Sequence, residues 1–305
     1  MTKKAYKKIL SLFDGISCAR VALDRVGIKY NKYHASEIDK YAIQIVQKNY
    51  PDTIQLGDVK SVKGIKDIYL LIGGSPCQDL SIAKKDRKGL KGERSSLFWE
   101  YVRILKETKP KYFIFENVAS MRKEDKEVIT ETLGVEPIMI NAALVSAQHR
   151  KRLFWTNIEG IEQPEGREIY LKDVLENGFV DRDKSYCIDA NYYKGVNWHH
   201  YKKKGVRQLV RVGYFNKGGQ GDRIYSIEGK SASLSANGGG RGAKTGLYKV
   251  NEYIRKLTPI ECERLQGLPD NYTEGISNTQ RYKCLGNAFN VDVVAHILKY
   301  IKKND

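Results

Sequence analysis

Apolar residues in this chain come as short runs separated by stretches with helical spacing. The run from Ile9 to Phe13 predicts a short buried strand. The turn Asp14-Gly15-Ile16-Ser17 follows, and then an amphipathic helix from Ala19 to Val26. Tyr33 to Ile38 predicts a second strand that ends on an acid, Glu37. Asp39 suits the cap of a helix running to about Tyr50, where Pro51 stops it. Ile54 to Leu56 predicts a third strand, closed by Gly57-Asp58. Ile68 to Ile72 is apolar throughout and predicts a fourth, ending in Gly73-Gly74-Ser75-Pro76-Cys77. A helix starts at Ser95 and presents Leu97, Phe98, Tyr101, Val102 and Leu105. Lys111 to Phe115 predicts a fifth strand, leading into Glu116-Asn117-Val118.

Strands alternating with helices define an α/β fold, a doubly wound, mostly parallel sheet covered on both faces. Ligands of such sheets bind beyond the carboxyl ends of the strands. Glu37, Asp58, Cys77 and Glu116 all fall at such ends, and the first strand ends in Phe13-Asp14-Gly15. So many chemically active residues on one rim are hard to explain as packing. After about Gln163 the character changes. From Arg167 to Val250 the helical period fades and glycine, tyrosine and basic residues increase, which predicts a smaller domain rich in β-strands and loops. Regular pattern returns with Thr258-Pro259-Ile260-Glu261, a helix start with proline in its first turn, and a last amphipathic helix covers Val291 to Ile301. The expected organisation is a catalytic and cofactor-binding domain over 1–166, a smaller domain over 167–250 and a segment over 251–305 that rejoins the first.

The net charge of +17 on 305 residues favours polyanionic partners, nucleic acid above all. Charge alone does not decide this, because solvated lysine-rich faces give the same sum. Five cysteines, none in CxxC spacing, argue against a disulfide framework and a zinc knuckle. His199 and His200 lack a metal-ligand pattern, so no metal is expected. No apolar run approaches the ~20 residues of a membrane helix, and Asp14-Gly15 cuts the first run too early for a secretory signal. A cytoplasmic protein is expected.

Several constellations carry chemistry. Small residues in the Phe13–Cys18 turn let the backbone approach a ligand at a helix N-terminus. The turn is not GxGxxG, so a dinucleotide is not indicated. Glu37 suits ribose hydroxyls and Asp58 an adenine amino group, which together describe a nucleoside site without phosphate-binding features. Ser75-Pro76-Cys77-Gln78 puts a thiol on a rim loop, where nearby cations would lower its pKa. A buried structural cysteine is the alternative. Glu116 should lie beside that thiol across adjacent strand ends, and Gln148-His149-Arg150-Lys151-Arg152 gathers positive charge before the apolar Leu153-Phe154-Trp155.

At these residues the chain resembles the cytosine-5 DNA methyltransferase family, of the bacterial or phage modification type. The ordered motifs run from Ile9 to Ile297: Phe13-Asp14-Gly15, Glu37, Gly57-Asp58, Pro76-Cys77-Gln78, Glu116-Asn117-Val118, Gln148-x-Arg150-x-Arg152, Arg255-x-Leu257-Thr258-Pro259 with Glu261-Cys262-x-Arg264-Leu265-Gln266-Gly267, and Gly286-Asn287-Ala288. Two departures stand out. Ser17-Cys18 replaces a glycine pair, and Ser233-Leu234 replaces a Thr-Leu pair.

The resemblance implies a Rossmann-like methyltransferase fold and S-adenosylmethionine as cofactor. It implies that Cys77 adds to C6 of a flipped cytosine in double-stranded DNA. Glu116 would hold or protonate N3, Arg152 would contact O2 and orient Glu116, and Arg150 would hold a flanking phosphate or sugar. Phe13, Asp14, Gly15, Ile16, Ser17, Glu37, Ile38, Asp58, Val59, Pro76, Asn287 and Ala288 would hold the cofactor. Gln78, Ser81, Lys84, Lys85, Arg87, Gln148, Arg223, Ser233 and Arg241 would touch DNA, with the smaller domain acting in target recognition. A monomer is expected, paired functionally with a cognate restriction endonuclease. The alternatives are a tRNA methyltransferase of the same fold, whose Cys-Phe-Thr signature is absent here, and an inactive DNA-binding subunit.

Overall fold

The computed structural model describes residues 7–77, 80, 89–92, 95–176, 180, 182–195, 201, 203, 209–212, 224–225, 247–248 and 253–304. Its centre is a seven-stranded sheet in the order β3-β2-β1-β4-β5-β7-β6. The strands are β1 (Lys8–Leu12), β2 (Lys32–Ser36), β3 (Ile54–Gln55), β4 (Ile68–Gly73), β5 (Tyr112–Val118), β6 (Ile138–Asn141) and β7 (Lys151–Thr156). β1 to β5 pair in parallel, whereas β7 runs antiparallel to both β5 and β6. From β1 the chain moves outward through β2 to β3, then returns to place β4 on the other side of β1. That reversal opens a crevice at the carboxyl ends of β1 and β4, the usual place for a ligand.

Helices cover both faces. The sheet's side chains alternate between them with the period of two that strands impose. Ile9, Leu70, Ile72, Ile114 and Phe154 face one core. It is shared with α1 (Cys18–Val26), α2 (Lys40–Asn49), α5 (Pro259–Leu265), α6 (Asn278–Asn287) and α7 (Val291–Asn304). Leu10, Leu71, Phe113, Phe115 and Trp155 face the other, with α3 (Phe98–Thr108) and α4 (Lys123–Leu133). Burial on both faces is why β4 reads as an unbroken apolar run.

Local signals place the ends of these helices. The Asp39 carboxylate accepts from the Tyr41 N–H and caps α2. Thr258 and Glu261 form a reciprocal capping box at the start of α5, behind a proline in the first turn. The last segment returns to the sheet, and the Asp292 carboxylate of α7 lies 2.8 Å from the Arg25 guanidinium of α1. Between residues 167 and 256 the described elements are short. β8 (Leu209–Val212) pairs antiparallel with β11 (Tyr253–Lys256), and β9 (Ile224–Tyr225) pairs with β10 (Leu247–Tyr248). Among the described residues no helix is long and apolar enough to cross a membrane.

Trp155 anchors the edge of the sheet that carries the site. It is fully buried, its ring lies 5.8 Å from Phe115, and its indole N–H donates to Thr130 Oγ1 at 2.9 Å. Trp155→Ala should cost roughly 3–5 kcal/mol of stability, the usual loss for a large buried aromatic. Urea unfolding checks this; a loss under about 1 kcal/mol would mean the site relaxes around the gap.

Candidate active site

The site is assembled at the crevice from three chain segments. The first is the loop leaving β4, Gly74 to Cys77. Gly74 lies so close to β5 that a Cβ there would stand 2.9 Å from both the backbone oxygen and the Oε2 of Glu116. The Asn117 amide holds the same loop by donating to the Ser75 carbonyl at 3.3 Å. Glycine and a buried asparagine thus press the Cys77 loop onto the end of β5, where Glu116 sits.

The second segment is β7. Because it is antiparallel, its beginning lies beside the end of β5, with Arg152 opposite Val118 and Phe154 opposite Glu116. Glu116 and Arg152 are therefore diagonal neighbours on one face, a spacing that long side chains bridge. Arg152 Nε lies 2.8 Å from Glu116 Oε1, with both side chains mostly shielded from water. Burial raises the Glu116 pKa, and Arg152 and Arg150 oppose the rise without cancelling it. Burial also raises the pKa of Cys77; Arg152 and Arg150 lower it and Glu116 adds to the rise. The thiol, the carboxyl group and the guanidinium share one electrostatic environment, and Cys77 is only half-buried. A carboxyl group inclined to hold a proton beside an accessible sulfur suits nucleophilic addition with proton delivery to the acceptor.

The third segment joins the end of β2 to the turn after β1. Glu37 Oε1 accepts from the backbone N–H groups of Ile38 and Asp39 at 2.8 and 2.9 Å, and Oε2 accepts from Gly15 at 2.8 Å. This draws the end of β2 onto the turn after β1. Next to it Ile38 is 74% exposed, an apolar surface held at a polar rim. Asp58 is exposed and accepts from the Lys60 N–H with one oxygen, while Val59 beside it is buried. Pro76 is half-buried, Asn287 is exposed at the end of α6, and Ala288 is buried. An exposed isoleucine flanked by two acids fits the apolar base and polar hydroxyls of a nucleoside, as the adenosyl part of a methyl donor requires.

Three of the expected site residues are turned inward. Arg150 does not reach outward for a phosphate. It is buried, and its guanidinium donates to the carbonyls of Ile188, Gly286 and Ala288 at 3.1, 3.3 and 2.8 Å and to Cys187 Sγ at 3.3 Å. A desolvated guanidinium needs such acceptors, and they come from the segment at Cys187–Ile188 and from the end of α6, which Arg150 ties together. Gln148 is fully buried; its amide donates to the Leu265 carbonyl and its oxygen accepts from the Ile188 N–H. Asp14 turns inward to Ser17 and Tyr33, away from the cleft. The proposed DNA contacts Gln78, Ser81, Lys84, Lys85, Arg87, Arg223, Ser233 and Arg241 lie outside the described residues.

Sequence reasoning passed over Gly74, Asn117 as a loop holder, and Cys187. For Asn117 a signal existed, since it directly follows the acid at a strand end. Gly286 also gains a reason: a Cβ there would lie 2.2 Å from the Asp189 backbone.

The sheet order and the loaded rim define a Rossmann-like methyltransferase. A profile of the C-5 cytosine-specific DNA methylase family matches residues 7–303. The chain is 34% identical to the type II methyltransferase M.HhaI of Haemophilus parahaemolyticus, over 97% of this chain and 93% of that protein. It is 27% identical to the orphan methyltransferase M.SPRI of Bacillus phage SPR, over 96% of each. Among solved structures, the Entamoeba histolytica methyltransferase EhMeth superposes with a TM-score of 0.69 at 17% identity, over 98% of both chains. A putative DNA modification methyltransferase encoded within an Escherichia coli prophage gives 0.62 at 20% identity, over 98% of this chain and 100% of the other. These two likenesses concern the fold. The chain belongs to the C-5 cytosine-specific DNA methylase family and is a DNA cytosine-5 methyltransferase.

Proposed function

We propose that the protein moves the methyl group of S-adenosylmethionine to carbon 5 of a cytosine flipped out of double-stranded DNA, at a specific sequence, through a covalent bond from Cys77 to C6. The observation that carries this is the contact of the Cys77 loop with Glu116, made possible by Gly74, together with the 2.8 Å Glu116–Arg152 pair. Cytosine C5 is a poor nucleophile until C6 is saturated. The Cys77 thiolate adds to C6 while Glu116 delivers a proton toward N3, and electron density moves to C5. Arg152 keeps Glu116 oriented and takes the pyrimidine O2. The cofactor supplies an electrophilic methyl group on a sulfonium. Once C5 carries the methyl, a solvent base takes its proton, the C–H electron pair re-forms the C5–C6 double bond and expels the Cys77 thiolate, and N3 returns its proton to Glu116.

The residues suited to hold the cofactor are Glu37 for ribose hydroxyls, Ile38 and Val59 around the base, Asp58 for its amino group, and the Phe13–Ser17 turn with Pro76, Asn287 and Ala288 around the rest. Arg150 serves as a positioning residue, setting the start of β7 against the end of α6 at Gly286–Ala288. The segment 167–250 would read sequence from the major groove, and the charge of +17 would add phosphate contacts. We further propose that the protein acts in the cytoplasm of a bacterial or phage-infected cell, as a monomer paired in function with a restriction endonuclease.

The test is methyl transfer from labelled S-adenosylmethionine to duplex DNA and, in parallel, to tRNA. Label in the duplex, at positions that share a sequence, is expected. Exclusive labelling of tRNA would contradict the proposal, and binding without labelling of either would point to an inactive DNA-binding subunit.

A further inference from the structure

In the turn after β1, Phe13, Gly15 and Ser17 have φ of 56°, 58° and 58°. This left-handed region is open to glycine and disfavoured for residues with a Cβ. Ser17 therefore has to be held there. Its hydroxyl donates to one oxygen of Asp14, and the other oxygen accepts from the Tyr33 hydroxyl at 2.7 Å. All three side chains are buried. The Asp14 N–H donates to the Ser36 carbonyl at 3.1 Å, so the clasp also grips the end of β2. From the cleft side Glu37 accepts from Gly15, and from below the Tyr272 hydroxyl donates to the Ile16 carbonyl at 2.7 Å.

We propose that Asp14 is a positioning residue for the methyl donor: its carboxylate clasps Ser17 in the left-handed conformation and thereby fixes the turn against which Glu37 is set. This rests on the reading that the turn and Glu37 bind S-adenosylmethionine.

The clasp carries a pH dependence. Burial pushes the Asp14 carboxyl up to about 6; the hydroxyls of Ser17 and Tyr33, with that of Ser11 nearby, oppose this and Glu37 adds to it. The groups facing it are Ser11 on β1, Tyr33 on β2, Glu37 just after β2, Cys18 on α1, and Tyr272 beyond α5. Burial also raises Cys18, Tyr33 and Tyr272, which stay protonated at neutral pH. Ionised, Asp14 accepts from two hydroxyls at once. Protonated, it loses its charge and one oxygen becomes a donor, so both hydroxyls are bound more weakly. Ser17 is then held less firmly as pH falls through the Asp14 pKa.

Calorimetric titration of S-adenosylmethionine into the full chain at about pH 5.5 and about pH 8 tests this. Wild type, Asp14→Asn, Ser17→Gly and the double variant are compared. Coupled neighbours of this kind should show roughly tenfold weaker binding in Asp14→Asn at the higher pH, and wild type should weaken about fivefold at the lower pH. Ser17→Gly needs no clasp, so its affinity should not change between the two pH values. The double variant should bind like Ser17→Gly. Asp14→Asn that binds like wild type at the higher pH would overturn the clasp, as would a double variant as weak as Asp14→Asn. If Asp14→Asn fails to fold, wild type against Ser17→Gly across pH still decides, and equal pH profiles overturn the proposal. Wild type that takes up no S-adenosylmethionine at either pH overturns both the clasp and the cofactor reading.

Discussion

Cys77→Ser should lower methyl transfer by more than about 10³-fold while melting temperature and cofactor binding stay near wild type. The substitution is almost isosteric, and Cys77 is half-buried on a loop that the Ser75 carbonyl and Gly74 hold in place. Nothing in that support depends on sulfur. The chemistry does, because a hydroxyl is a far weaker nucleophile than a thiolate near neutral pH. In the free protein burial holds the Cys77 pKa above its ordinary value, and Arg152 and Arg150 only moderate this. The thiolate fraction therefore rises with pH, and the rate of bond formation to the base should rise with it through the neutral range. Single-turnover labelling of duplex DNA by wild type and variant measures both effects. A variant retaining about a tenth of the wild-type rate would assign the attack to another group.

Arg152→Ala should damage both stability and turnover. It leaves the Glu116 carboxylate buried without its partner, which costs roughly 3–5 kcal/mol for a well-shielded pair and less here, since both side chains keep some contact with water. It also removes a preorganised cation beside the reacting base, a loss of about 10²–10³ in turnover. Glu116→Gln keeps the shape of the pair and removes only the charge and the transferable proton. Its melting temperature should lie closer to wild type, with turnover still reduced by about 10²-fold or more. Combining the two substitutions should recover stability relative to Arg152→Ala but no activity. Thermal unfolding and initial rates on the four proteins check this. Equal stability losses in Arg152→Ala and in the double variant would show that the pair is not what the guanidinium stabilises.

The parallel half of the fold is legible because its strands are short apolar runs closed by glycine or an acid. β1, β2, β4 and β5 fall within one to three residues of the expected positions; burial on both faces leaves β4 without a charged residue, whereas β2 is marked by the acid and helix cap that follow it. The far edge is less readable. α4 carries six charged residues in Lys123–Leu133 and buries only Ile129 and Leu133, so its pattern is faint. β6 is four residues long. The apolar Leu153-Phe154-Trp155 is visible, but an apolar run does not say which way a strand runs, and the antiparallel course of β7 is what brings Arg152 to Glu116.

The same limit applies residue by residue in the site. The places of Cys77, Glu37 and Asp58 beyond the ends of β4, β2 and β3 are readable because each follows a strand that the pattern marks. Arg150 and Arg152 look alike as charges two positions apart. Only the tertiary carbonyls of Ile188, Gly286 and Ala288 distinguish the buried one from the one that meets Glu116. Asp14 sits within the turn after β1, but Tyr33 and Ser17 draw its carboxylate inward. A linear pattern contains no sign of that rotation.

The most direct measurement uses duplex DNA carrying 5-fluorocytosine at the methylated position, incubated with the protein and S-adenosylmethionine and run under denaturing conditions. Fluorine at C5 cannot leave as a proton does, so the sulfur–carbon bond should persist. The expected result is a stable protein–DNA species whose cross-linked peptide contains Cys77, absent with Cys77→Ser. An active enzyme that forms no such species, or one that still forms in Cys77→Ser, would show that a different group attacks the base.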